Sequence, residues 1–246
     1  MLKNSTKVGL IIIVVLIIDQ ALKIWIKTHM HLNEDSFEDW SWWTVPWGRI
    51  HFVENEGMAF GIELPGNYGK LILSLFRIAA VGFLFYYLKL LIRAKASFGL
   101  LACFGLILAG ALGNILDSAF YGAIFSKSPF HSLEVARLFP PEGGYADFLH
   151  GRVVDMFYFP MFSGTFPEWL PVWGGEDFLF FRPVFNVADA SITVGVISLL
   201  LFHRDFFSGD SIEKKTAEEE VELVKETAKA AQEEDGSITG KEDAPV

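Results

Sequence analysis

The chain has 246 residues, of which 52% are apolar and 15% aromatic, and its mean hydropathy is positive. These proportions exclude an ordinary water-soluble domain. The formal charge of −10 is unevenly spread: residues 205–246 carry −8 of it and residues 1–204 only −2. Neither balance supplies the basic face that nucleic acid requires, so no nucleic-acid partner is expected. The single cysteine, Cys103, excludes an internal disulfide framework and a cysteine-rich metal site.

Four stretches approach the roughly 20 apolar residues that a helix needs to cross a bilayer. They are Val8–Ile26, Leu71–Ile92, Ser97–Leu116 and Val184–Phe202. The expected fold is an α-helical integral membrane protein with four transmembrane helices in residues 1–204. Lys3 and Lys7 ahead of the first stretch fit a secretory signal peptide, but no small-residue cleavage site follows. The chain runs on through Asp19-Gln20-Ala21-Leu22-Lys23, and the stretch is expected to stay as the first membrane helix. Lys3 and Lys7, then Lys89, Arg93 and Lys95, then Arg204, Lys214 and Lys215 all fall on one side of a four-helix arrangement. That side is the cytoplasm by the positive-inside rule, giving an N-in/C-in topology, which in a bacterium means the cytoplasmic (inner) membrane.

Two longer segments, about 28–70 and 118–183, fall on the other side. Trp25 stands at the outer end of the first helix, and Trp40, Trp42, Trp43, Trp47, Trp169 and Trp173 lie in these segments. Indole rings favour the headgroup level, so a small, β-rich extracytoplasmic part is expected along the outer membrane interface, facing the periplasm or exterior. Gly151–Phe159, rich in Val, Phe and Tyr, reads as one of its strands. Gly105, Ala109 and Gly113 form a small-residue stripe that lets another helix pack closely. Residues 205–246, with Glu218-Glu219-Glu220, read as an acidic, disordered cytoplasmic tail.

Polar residues at membrane depth carry the functional reading, because a buried charge there is costly. Asp19 lies about 16 Å along the first helix from Val8 at 1.5 Å per residue, past the middle. Lys23 follows one turn later on the same face. A mutual ion pair, with Lys23 snorkelling outward, is one account of this pair. Asn114 and Asp117 share a face at the outer end of the third helix, and Asn186 and Asp189 do so at the start of the fourth. Three acids and two amides from three helices therefore converge at one depth, as expected for a site opening to the outer interface. The outer segments add Asn55 among the permissive glycines of Phe52–Gly61, including Gly57, and Asp155 inside the apolar strand. Asp155 could instead pair with Arg152, although the strand pleat separates such side chains when they lie three apart. Arg77 lies roughly 10 Å inside the second helix from Lys70; it is either a cation near the acids or a structural residue that snorkels or pairs with Asp19.

Taken in order, Asp19 with Lys23, Asn55-x-Gly57-x-Ala59-Phe60-Gly61, Gly110-x-x-Gly113-Asn114-x-x-Asp117, Val153-Val154-Asp155 and Phe185-Asn186-x-Ala188-Asp189 resemble the motifs of bacterial lipoprotein signal peptidase (signal peptidase II). The resemblance spans residues 19–189. It implies an aspartic peptidase with Asp155 and Asp189 as the catalytic pair, cleaving diacylglyceryl-modified prolipoproteins just before the lipidated cysteine. Asp19, Lys23, Asn55, Gly57, Asn114, Asp117 and Asn186 are then supporting and substrate-contacting residues, and membrane lipids are the other partners. The chain departs from the family pattern twice. Ser118 stands where the family commonly has Arg, which leaves room for Arg77 to supply the cation, and residues of about 120–148 look like an insertion, readable as a lid.

Two carboxyls in a poorly solvated site share a proton and titrate as a pair. The ionised member can draw a proton from water while the other donates to the scissile carbonyl. No cofactor, metal or covalent nucleophile is implied, and the sequence has no HExxH, GxSxG or P-loop pattern. The rival class is a proton-coupled transporter, which also uses intramembrane acids but spreads them across the membrane's depth.

Overall fold

The structure, a computed structural model, describes residues 2–33, 48–55, 67–129 and 134–206. Trp40, Trp42, Trp43, Trp47, Gly57 and the acidic tail from residue 207 onward lie outside the described residues. The chain divides into two compact units, Met1–Ile197 and Ser198–Val246. Of the second, the described part is the last turn of a helix and a short 3₁₀ turn, Arg204–Phe206.

Helix α1, Asn4–His29, is amphipathic in the reverse of the soluble sense. Leu10, Ile13, Val14, Ile17 and Ile18 are exposed, whereas Asp19, Lys23 and Lys27 are completely buried. Residues four apart recur on one helix face, so these three charges form an inward stripe and the aliphatic face is left for lipid. Strand β1, Arg49–Asn55, follows, and then helix α2, Asn67–Arg93, with Ser74, Leu88 and Leu91 turned inward and Phe76, Phe83, Phe85 and Tyr86 outward. Helix α3, Phe98–Leu116, is capped by Ser97, whose hydroxyl accepts from the Leu100 N–H.

The third apolar stretch does not stop at Leu116. It continues as a π-helical turn, Asp117–Tyr121, and a last helical turn α4, Gly122–Ile124. No proline or exposed glycine interrupts it, and the charge of Asp117 is met inside the protein by Lys23. The fourth stretch begins later than its hydropathy indicates. Val184–Phe185 is a strand, β5, and helix α5 runs over Val187–Phe202. Among the described residues three helices are long and apolar enough to cross a membrane, namely Asn4–His29, Leu71–Arg93 and Phe98–Ile124, while α5 has 16 residues, or about 24 Å of rise.

Among the described residues the β-rich part is made of two small sheets. Strand β2, Val153–Tyr158, pairs antiparallel with β1 on one side and β5 on the other, and β3, Phe162–Thr165, pairs with β4, Asp177–Phe180. Beneath the three-stranded sheet lies an apolar cluster of Ile26, Met30, Phe52, Tyr121, Phe125, Val154 and Met156. Tyr121 and Phe125 belong to the segment read from sequence as an insertion, so that segment contributes to the core.

Glycines let the helices approach closely. A Cβ on Gly105 would meet the Val8 side chain of α1, and one on Gly113 would sit 2.7 Å from Asp19 Oδ2 and 3.1 Å from the Ala188 Cβ of α5. A Cβ on Gly82 would meet nothing within 4 Å. Gly113→Ala is therefore expected to lower stability by about 1–3 kcal/mol through overpacking. Gly82→Ala is expected to be neutral or stabilising by up to about 1 kcal/mol, because it removes backbone freedom from the unfolded helix. Thermal unfolding of the two variants in detergent would check both signs.

Candidate active site

The polar residues are organised around the ammonium of Lys23, which is completely buried. Its Nζ is 2.9 Å from Asp19 Oδ2, 2.8 Å from Asp117 Oδ2 and 2.9 Å from Asn114 Oδ1. An ammonium has three N–H donors, and here three acceptors from α1 and the α3 region take them. Lys23 does not snorkel. The remaining acceptor sites of the two acids are filled by neighbours. Asp19 Oδ1 accepts from the Ala188 N–H at 2.8 Å, and Asp117 accepts from Gln20 Nε2 at 2.8 Å and from the Val154 N–H at 3.3 Å. Gln20 also accepts from the Tyr121 hydroxyl at 3.1 Å.

Asn186 joins this frame to the other two aspartates. It is the N-cap of α5 rather than a residue inside it. Its Oδ1 accepts from the Asp189 N–H at 2.9 Å, and its own N–H donates to Asp189 Oδ2 at 3.3 Å. This reciprocal arrangement is a capping box with Asn and Asp in the two roles. The Asn186 amide nitrogen donates to Asp155 Oδ1 at 2.7 Å, and it also reaches Asn114 Oδ1 at 3.1 Å and the Val154 carbonyl at 3.2 Å. Asn114 Nδ2 donates to Asp189 Oδ1 at 2.8 Å. Asp155 and Asp189 are thus held by one pair of amides.

Asp155 is nearly buried, 4% exposed, on β2. Asn55 Nδ2, at the end of β1, donates to its Oδ2 at 3.3 Å. Burial, and next the negative charge of Asp189, push the Asp155 carboxyl up to about 7 from the ordinary 3.8. The hydrogen bonds from Asn55 and Asn186 and the charge of Lys23 act the other way and do not prevail. Asp189 is partly exposed. Arg152 does not pair with Asp155; its guanidinium is 3.6 Å from Glu54 Oε2.

Arg77 Nη1 is 3.4 Å from the Ser118 hydroxyl, and the negative charges that act on its guanidinium are Asp189, then Asp117 and Asp155. The arginine from α2 therefore sits beside the serine that departs from the family pattern. Of the residues singled out in the sequence, Asp19, Lys23, Asn55, Asn114, Asp117, Asp155, Asn186 and Asp189 form one connected network, with Arg77 at its edge. Gly57 lies outside the described residues.

Sequence reasoning missed Gln20 and a second buried polar group, in which Lys27 meets Glu54 and Ser128. Lys27 continues the four-residue stripe of Asp19 and Lys23, and that spacing was its available signal. Gln20 offered none, since a single glutamine in an apolar run has no periodic partner.

The family model described as signal peptidase (SPase) II matches residues 11–204. A lipoprotein signal peptidase of Porphyromonas gingivalis is 54% identical over 201 residues, covering 81% of this chain and 84% of the relative. One from Amoebophilus asiaticus is 33% identical over 212 residues, covering 83% and 80%. A bacterial membrane enzyme solved by the in meso method has the same fold, with a TM-score of 0.51 at 22% identity over 82% of this chain and 90% of that one.

The Lys23 frame makes a direct stability prediction. Lys23→Met leaves Asp19 and Asp117 buried without their cation, and the cost is expected to be about 3–5 kcal/mol, as for other broken buried ion pairs. Thermal unfolding in detergent is the measurement, and an unchanged midpoint would show that the frame does not depend on this charge.

Proposed function

This chain belongs to the signal peptidase II family of aspartic membrane peptidases, and from that premise we propose that it removes signal peptides from diacylglyceryl-modified prolipoproteins by cutting just before the lipidated cysteine. The observation that carries the catalytic assignment is the pairing of Asp155 and Asp189 through Asn186 and Asn114. With its carboxyl raised to about 7, Asp155 holds the shared proton, and Asp189 is given the part of the base. Asp189 takes a proton from a water molecule as that water attacks the scissile carbonyl, and Asp155 donates its proton to the carbonyl oxygen. The resulting tetrahedral diol collapses as the proton on Asp189 passes to the leaving amine and a diol hydroxyl returns its proton to Asp155, restoring a singly protonated pair. Asn55 and Asn186 orient Asp155. Asp19, Lys23, Asn114 and Asp117 hold the helix ends that carry the pair.

In this reading the chain crosses the cytoplasmic (inner) membrane four times with both termini inside, and its site opens to the periplasm or exterior. The positions of Lys3, Lys7, Lys89, Arg93, Lys95 and Arg204 support that orientation. The short α5 crosses where the bilayer thins or flanking residues reach outward. Its capped start lets the acids meet a lipid-anchored substrate at headgroup depth. Lipids are therefore partners as well as solvent, and nucleic acid is not a partner. The transporter alternative finds no support among relatives that carry peptidase names.

Arg77 is proposed to supply, beside Ser118, the cation that steadies the substrate's ester or the developing charge. Arg77→Gln is expected to lose most activity while staying folded, and Ser118→Arg in that background to restore part of it. Full activity in Arg77→Gln would remove the role.

A gel-shift cleavage assay tests the main reading, using a prolipoprotein with and without its diacylglyceryl group. Cleavage is expected of the lipidated form alone, to be insensitive to EDTA, and to be absent in folded Asp155→Asn and Asp189→Asn. Persistent cleavage by either variant would move catalysis elsewhere. Because the reaction needs the proton on Asp155, the rate is expected to fall as pH rises through about 7, by about tenfold per unit well above it.

A further inference from the structure

We infer that the segment following α3 is a buttress for the catalytic strand: through Ser128 and the rings of Phe125 and Tyr145 around Lys27 it fixes Glu54, and so keeps Asn55 on Asp155. Lys27 is completely buried one turn beyond Lys23. Its ammonium bonds to Glu54 and, at 2.9 Å, to the Ser128 hydroxyl, and it stands 5.4 Å from the Phe125 ring centroid and 5.1 Å from that of Tyr145. The Ser128 hydroxyl donates to Glu54 Oε1 at 2.6 Å, and Arg152 approaches the other carboxylate oxygen. The segment is tied to itself and to β2 by the Tyr145 N–H on the Phe125 carbonyl at 3.0 Å and by the Arg152 N–H on the Tyr145 hydroxyl at 2.7 Å.

This node touches neither catalytic aspartate, so its effect must pass through the strand. Successive residues of a strand point to opposite faces. Glu54 lies opposite Val154, and Asn55 lies opposite Val153, diagonal to Asp155. Clamping Glu54 on the inner face therefore sets where the Asn55 amide stands on the other. That amide is 3.3 Å from Asp155 Oδ2, close to the limit of a hydrogen bond, so a strand shift of a few tenths of an ångström would end it. Stability alone does not account for the node. Buried ion pairs are on average no more stabilising than apolar residues of the same volume, yet here polar groups from α1, β1, β2 and the added segment converge on one carboxylate. Tyr121 and Phe125 of the segment are packed into the core beneath the sheet, with Tyr145 against them, which is the placement of a brace.

The inference rests on the catalytic role proposed for Asp155. Its test uses the full chain in detergent with lipidated prolipoprotein and compares Lys27→Met with Glu54→Leu combined, Ser128→Ala, Ser128→Thr and Asn55→Ala. The double variant replaces the ion pair by apolar side chains and is expected to unfold no earlier than wild type. Its kcat is nevertheless expected to fall about tenfold, the worth of one hydrogen bond to a charged group, with KM unchanged. Ser128→Ala is expected to follow it in the same direction, and Ser128→Thr, which keeps the hydroxyl, to restore activity. Adding Asn55→Ala to either background should cost little more, because the same contact has already been lost. The groups facing Asp155 are Asp189 from α5, Asn186 at its cap, Lys23 from α1, Arg77 from α2 and Asn55 from β1. Loss of the Asn55 bond removes a donor that favours the anion, so the falling alkaline limb should move to higher pH. A stable double variant with full kcat, or effects that add to those of Asn55→Ala, would overturn the buttress. If the double variant unfolds early, Ser128→Ala decides by the same kcat and pH criteria. An active Asp155→Asn would refute the catalytic role itself, whereas an inactive Asp155→Asn beside a fully active double variant would refute the buttress alone.

Discussion

A lysine ammonium buried near the C-terminal end of a membrane helix is the constraint around which this protein is built. Removing such an ion from water costs several kcal/mol, and the cost is recovered only when every donor finds a well-placed acceptor. Lys23 meets that condition with Asp19, Asp117 and Asn114, and in doing so it fixes the spacing and rotation of α1 against α3. Gly113 leaves the space that brings Asp19 into place. The second oxygen of Asp19 then holds the first turn of α5 through the Ala188 N–H. One buried charge thus sets three helix ends, and those ends carry the amides and the acid of the site.

The acids beyond that frame are in a different situation. Asp155 has hydrogen bonds that favour its anion, yet burial and the neighbouring Asp189 outweigh them. Lys23 meets the charges of Asp19 and Asp117, while the pair proposed as catalytic is held by amides. An amide can satisfy a carboxylate without forcing it to stay ionised, which a pair that must exchange a proton requires. Asn186 serves both ends at once, capping α5 and bridging to Asp155.

Much of this was legible in the sequence, because the bilayer makes inward polar residues conspicuous. Asp19, Lys23, Asn114, Asp117 and Asn186 stand out in apolar runs, and their motif order points to the family. The strand around Asp155 was marked by its β-branched and aromatic residues. Helix ends were less readable. Hydropathy carries the fourth stretch back to Val184, but backbone pairing of Val184–Phe185 with β2 makes those residues a strand, and the helix starts only at the cap. Hydropathy likewise gives no sign that Asp117 would be neutralised in place, so the helical run beyond Leu116 was hidden. The Lys27 node was hidden for a similar reason, since Glu54 and Ser128 are ordinary polar residues until the tertiary fold brings them to one point.

Asp155 and Asp189, the proposed catalytic pair, flank a long stretch of chain, but the distance between them does not depend on it. Phe157 and Tyr158 pair with Phe185 and Val184 at the base of that stretch, and beyond them β3 and β4 pair with each other in a separate ladder. The base closes the loop before the hairpin begins. Chain length past Tyr158 is therefore free to vary, and the turn of Trp169–Gly175 between β3 and β4 is a natural point for accepting foreign sequence. An epitope or fluorescent tag grafted there would leave the geometry of the acids insulated from it by the base ladder.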